Sequence, residues 1–201
     1  MSHTQGTPII VVLSGPSGVG KDAILERMAE LDHPHHFVVT ATSRPPRTGE
    51  RDGVNHHFLT RPQFRQMIEH GEFLEWAEVY GNLYGVPRRQ VADALARGRH
   101  VMIRVDVQGA ARIRQLVPDA LLVFILPPDL ETLHRRLVAR GLDPADAIAA
   151  RGDIAVHEMW ESEKFDYTVV NKDDALDEAV REVIEIIEAE SRRDPLRVFD
   201  L

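Results

Sequence analysis

The chain contains no cysteine, which excludes disulfide staples, thiolate nucleophiles and thiolate metal sites and fits a reducing cytoplasm. It has no apolar run that approaches the length of a membrane span. Its first residues, MSHTQGT, lack a basic stretch followed by an apolar one, so no secretory signal is expected. It also lacks excess positive charge. At a net charge of −8 it is a poor candidate for a general nucleic-acid binder, and any anionic ligand must be held by local arginine clusters. There is no internal repeat and no low-complexity segment. The absences together predict a soluble cytoplasmic protein with neither nucleic acid nor membrane as partner.

What is present suits one globular core. Hydrophobic residues make up 43% and charged residues 28% of 201, enough for a full core with room for small inserted lobes. The organising stretch is residues 8–27, PIIVVLSGPSGVGKDAILER. The run 9–13 is apolar and mostly β-branched, as a strand buried on both faces should be. It leads into Gly15, Pro16, Ser17, Gly18, Val19, Gly20 and Lys21, followed by Asp22, Ala23 and a helical pattern. Glycines let backbone N–H groups converge on phosphate oxygens, the helix N-terminus adds partial positive charge, and Lys21 adds a mobile full one. A further absence lies inside this motif. Where it calls for Ser or Thr to hold Mg²⁺, the chain has Asp22 and Ala23, so Asp22 becomes the candidate metal ligand although a carboxylate also repels phosphate.

Residues 32–36, DHPHH, read as a solvated turn in preference to a metal site, because no further ligands lie at metal-site spacing. A short strand is expected over 37–40. The segment 40–50, TATSRPPRTGE, is stiffened by prolines and carries Arg44 and Arg47, two forked guanidiniums that could clamp one phosphate. Residues 54–59 read as a strand, and Thr60 with Gln63 forms a capping box for a helix that stops at Gly71. Residues 73–80 alternate like a strand with one packed face and turn at Gly81-Asn82 toward 83–86. This makes 37–87 a mostly β lobe inserted between core segments 8–36 and 88–130. Strands are then expected over 101–105, 120–126 and 165–171, and helices over 88–97, 108–116, 130–140, 143–160 and 176–190. Residues 158–190 return to the core and 191–201 form a tail with no functional signal.

Taken together, GPSGVGK, SRPPRTGERDGV, EFLEWAEVYGNLYG and VDVQGA resemble the guanylate kinase family over about residues 8–186, in the expected order. The resemblance implies an α/β fold with a P-loop NTPase-type parallel sheet flanked by helices, an inserted GMP-binding lobe and a helical lid over 131–157. It implies transfer of a phosphoryl group from ATP to GMP with Mg²⁺, with dGMP and the oligomeric state left open. Arg44, Arg47 and Tyr84 would hold the GMP phosphate, and Glu75 and Asp106 would accept from the guanine N1–H and amine, with Thr40 close to the base. Ionised carboxylates are pure acceptors, which suits that edge of guanine. Lys21 and the lid arginines Arg136, Arg140 and Arg151 would neutralise charge during transfer.

The family's pattern is broken at four further places. Arg104 stands where an acidic residue is usual, two before Asp106, and is expected to offset Asp22 from the neighbouring strand. His56 stands for a phosphate-binding tyrosine; a protonated histidine donates more strongly, so GMP affinity is expected to rise toward about pH 6.5. Val86 stands for a Ser or Thr near guanine O6 and cannot donate. Ala23 offers no hydroxyl. Two other readings compete. One is a related kinase acting on ribose 1,5-bisphosphate, which the Lys21-Asp22 pair suggests; the other is a non-catalytic binding module of the same fold.

Overall fold

The computed structural model describes residues 6–31, 33–79, 81–139, 157–193 and 195–199. Five strands form the main sheet: β1 (Ile10–Ser14), β2 (His35–Phe37), β7 (His100–Arg104), β8 (Leu121–Leu126) and β9 (Tyr167–Val170). Their order is β2-β7-β1-β8-β9 and every pairing is parallel. Alternation along β1 divides the core. Val11 and Leu13 join Ile9 on one face, against Ile24 and Met28 of α1 (Lys21–Ala29), Leu133 and Leu137 of α5 (Leu130–Ala139) and Val183 and Ile187 of α6 (Leu176–Ser191). Ile10 and Val12 point the other way, against Val91 of α3 (Arg88–Ala96) and Ala110 and Ile113 of α4 (Val107–Leu116). Burial on both faces is why β1 reads as continuously apolar.

A second sheet, ordered β4-β3-β6-β5, is built from β3 (Ala41–Thr42), β4 (His57–Phe58), β5 (Phe73–Val79) and β6 (Asn82–Pro87). It has its own small core, in which the Phe64 ring of α2 (Arg61–Glu69) stacks on Phe73 at 4.4 Å. The Thr60–Gln63 capping box starts α2, and Gly71 with φ 66° follows its end. The β5–β6 hairpin also reaches the main core, because Leu74 and Val86 are buried with Ile10 and Val12.

Several boundaries differ from expectation for definable reasons. The strand expected over 37–40 lies at His35–Phe37 and belongs to the main sheet, paired with β7. Pairing ends there because the Gln90 side chain takes both backbone groups of Val39, accepting from its N–H at 3.0 Å and donating to its carbonyl at 2.9 Å. His35 is therefore not in a solvated turn; it is 3% exposed. No group of potential metal ligands exists among the described residues. The strand expected over 54–59 joins the sheet at His57–Phe58, with His56 in an isolated bridge to Asp52, and the Asn55 and Asp52 side chains accept from the Arg51 and Phe58 N–H groups. The tail is anchored: Arg197 donates to Glu190 and to the Asp119 carbonyl, and Phe199 packs on the core. No helix among the described residues is long and apolar enough to cross a membrane.

Candidate active site

The P-loop leaves β1 at Ser14 and enters α1 at Lys21. Gly15 has φ 139°, and a Cβ there would lie 2.4 Å from the Ile125 carbonyl oxygen of β8. Gly20, with φ 99° and ψ 21°, is the N-cap of α1 and offers no side chain to its first turn. The N–H groups at that end therefore remain for a phosphate. Lys21 folds back, donating from Nζ to the carbonyls of Gly15 and Pro16. The outer edge of the loop is pinned at Val19, whose carbonyl accepts from Asn171 Nδ2 at 2.9 Å and from Arg136 Nη1 at 3.2 Å. Asn171 follows β9 and is 5% exposed, so a strand end, a helix and the loop meet at one carbonyl.

Arg104 ends β7 beside β1, its Cα paired with Leu13, and its guanidinium forms an ion pair with Asp22. The two departures from the usual motif therefore compensate each other.

On the lobe, Arg44 makes a forked pair with Glu50, at 2.6 and 2.7 Å, and lies over the Phe58 ring. Glu50 also accepts from the Arg47 N–H at 2.7 Å. The hydrogen-bonded guanidinium holds the Glu50 carboxyl down at about 2. This glutamate was not foreseen as a site residue, although it lies six positions after Arg44 in the same loop. It fixes the direction of Arg44, and Arg47 stays exposed. His56 Nδ1 and Thr40 Oγ1 are hydrogen-bonded at 2.8 Å, and the His56 ring meets the edge of Tyr84 at 6.2 Å. Burial, then the adjacent Arg44, lowers the His56 pKa. Both act against the protonated imidazole on which the expected gain in GMP affinity toward about pH 6.5 depends.

Glu75 lies on β5 and is 5% exposed. Burial pushes its carboxyl up to about 7; Asp106 pushes the same way, and Arg112 opposes both. Asp106 caps α4, accepting from the Gly109 N–H at 2.7 Å. Val86 is fully buried and contributes apolar wall. Glu158, another residue without a sequence signal, borders the same space; burial raises its pKa, and the Lys21 ammonium opposes the rise.

One cleft of about 1030 Å³ brings nearly all of these together. It is lined by the P-loop from Gly15 to Ala23 except Pro16, by Thr40, Arg44, Arg47, His56, Glu75, Tyr84 and Val86 from the lobe, and by Arg104, Asp106 and Arg136. Arg136 is further held by Asp173, which accepts from Nη2 at 2.6 Å. Arg140 and Arg151 lie outside the described residues.

A sequence model of guanylate kinase matches residues 7–190. The chain belongs to the guanylate kinase family. A guanylate kinase of Thermus thermophilus is 44% identical over 184 residues, covering 92% of this chain and 82% of that protein. Guanylate kinase 2, chloroplastic/mitochondrial, of Oryza sativa subsp. japonica is 43% identical over 187 residues; the match covers 92% of this chain and 66% of that longer protein. The crystal structure of guanylate kinase from Anaplasma phagocytophilum superposes with a TM-score of 0.76 at 31% identity, covering 94% of this chain and 89% of the other.

Proposed function

We propose that the protein transfers the γ-phosphoryl group of ATP to GMP, forming ADP and GDP in purine nucleotide metabolism. The observation that carries this reading is the single cleft in which a phosphate-binding loop faces both a guanidinium pair and two carboxylates. An oxygen of the GMP phosphate forms the new P–O bond as the bond to the ADP oxygen breaks, the two in line. The chemistry needs positioning and charge neutralisation and no protein base. The P-loop N–H groups and Lys21 take the ATP phosphates. Arg44 and Arg47, with Tyr84 and His56, take the GMP phosphate. Glu75 and Asp106 accept from guanine, Thr40 borders the base, and Arg136 supplies positive charge at the P-loop edge, with Arg140 and Arg151 assigned the same role from the family pattern.

Mg²⁺ entering with ATP would neutralise phosphate charge. The residues present fit it in a particular way. Asp22 borders the cleft, but its charge is matched by Arg104. Asp22 is the residue of this chain that would help hold the metal, and its pairing with Arg104 would weaken it as a direct ligand. Cytoplasmic localisation is part of the same reading.

The test is a coupled assay of ADP release with ATP and Mg²⁺, comparing GMP, dGMP, AMP, UMP and ribose 1,5-bisphosphate. Turnover confined to GMP and dGMP is expected. Turnover of the sugar phosphate alone overturns the assignment of Glu75 and Asp106, and GMP binding without turnover on any substrate makes the chain a binding module.

A further inference from the structure

Glu75 presents an unusual problem for a base-binding group. A buried carboxylate prefers to be protonated, yet it can accept from both guanine donors only when ionised. The charged groups acting on it are Asp106 and Arg112, both contributed by the α4 region. From the other side of the strand β6 places Val86 directly across from Glu75 and brings no charge. On α3, Arg88 reaches the Phe73 carbonyl at 3.3 Å, nearer the start of β5.

Arg112 is well placed to decide the matter. Its Nη1 lies 3.4 Å from Glu75 Oε1 and donates to the Trp76 carbonyl at 2.8 Å, so the guanidinium is tied to the strand at the residue after Glu75. It stands outside the nucleotide cleft. A second groove of about 490 Å³, lined by Arg112, Trp76, Gln115 and Leu116, reaches Glu75 from behind. Arg112 therefore closes the back of the guanine pocket without touching the nucleotide. Helix α4 offers guanine one acceptor at its N-cap, Asp106, and five residues into the helix carries the counter-charge for the other.

We propose that Arg112 is a positioning residue for guanine recognition: it favours the anionic form of Glu75 and fixes the carboxylate against β5. This rests on the reading of the cleft as a GMP site. Without Arg112, Asp106 and burial act on Glu75 unopposed, and the carboxyl holds its proton to higher pH. A protonated Glu75 exchanges one acceptor for a donor facing guanine donors.

The experiment is the pH dependence of KM for GMP, from pH 6 to 9, in wild type, Arg112→Gln and Arg112→Lys. The titration of the GMP phosphate is common to all three and cancels in the comparison. In Arg112→Gln the limb at which KM rises on acidification moves upward by about one unit, so KM rises about fivefold at pH 7 and about tenfold at about pH 6, while kcat at saturating GMP is retained. Arg112→Lys keeps the charge and holds the limb near its wild-type position. An unmoved limb in Arg112→Gln, or equal displacement in both variants, overturns the proposal. The double variant Glu75→Gln/Arg112→Gln carries no uncompensated carboxylate and answers the question even where Arg112→Gln does not fold. Relative to Glu75→Gln alone, the second substitution leaves KM unchanged if Arg112 acts through Glu75; a further rise overturns the proposal. Wild-type protein inactive on GMP would instead remove the functional reading, a result distinct from an active wild type with an unmoved limb.

Discussion

Asp22 stands where a phosphate cradle usually offers a hydroxyl, and its negative charge would face the β-phosphate if nothing balanced it. Arg104 balances it. The pair is only partly shielded, with side chains 49% and 28% exposed, so its contribution to stability is at most about 1 kcal/mol. A fully buried pair that lost one partner would cost several times more. Its main effect is therefore expected in ligand binding. Arg104→Ala should lower the urea midpoint only slightly and raise KM for ATP severalfold, with Asp22→Ala/Arg104→Ala recovering most of the loss. Unchanged KM for ATP in Arg104→Ala would mean that Asp22 is neutralised by another group. This pair was legible in the sequence because both residues sit at fixed offsets from motifs on neighbouring strands. Arg112 and Glu50 were less visible. Arg112 matters only through the packing of α4 on β5, a contact that no local spacing encodes. Glu50 lay in a recognised loop, but its fork onto Arg44 depends on how the prolines turn the chain.

At the level of elements, the most legible were those defined by local chemistry: the Thr60 capping box, the β5–β6 hairpin and the apolar β1. The least legible was β2. Its sequence, His35-His36-Phe37, looks solvated, yet it forms the edge of the main sheet with His35 opposite His100. The rings lie 5.7 Å apart, His100 Nδ1 accepts from the Ile9 N–H, and His35 Nδ1 has no hydrogen-bond partner among the described residues. Burial, then His100, holds the His35 pKa down at about 4, and burial also lowers His36 and His100. The folded values lie below the unfolded one, near 6.5, so between these limits the unfolded chain binds more protons. Stability from this strand is fully present above pH 6.5 and is lost as pH falls toward 4, with His35 alone contributing roughly 3 kcal/mol over that range. Urea midpoints at pH 7, 5.5 and 4.5 should fall more steeply in wild type than in His35→Phe, since carboxylate losses are shared. Parallel profiles would show that His35 is protonated in the folded protein without penalty.

Across the whole molecule, the cleft is where the two sheets meet, and its parts come from segments far apart in the chain. Motif order announced both halves. It did not announce what ties them to the α5 and β9 ends. That tie is Arg136: it donates to the Val19 carbonyl of the P-loop, to the Asn171 carbonyl after β9 at 3.0 Å, and to Asp173. Asp173 also pairs with Arg135. The Arg136 side chain is 21% exposed and faces the cleft. Such a guanidinium can stabilise the charge that spreads over the transferring phosphoryl group, while the residues proposed to hold the GMP phosphate lie on another sheet. Removing it should therefore separate catalysis from GMP binding. Arg136→Met is expected to lower kcat about 10²–10³-fold, the usual effect of losing one preorganised donor to developing charge, with KM for GMP little changed. The Val19 carbonyl keeps its bond from Asn171, so the P-loop should retain its shape and ATP should still bind. Arg136→Lys keeps the charge without the fork and should recover only part of the rate. Loss of ATP binding in Arg136→Met, at unchanged kcat under saturating ATP, would instead make Arg136 a strut of the loop rather than a participant in transfer.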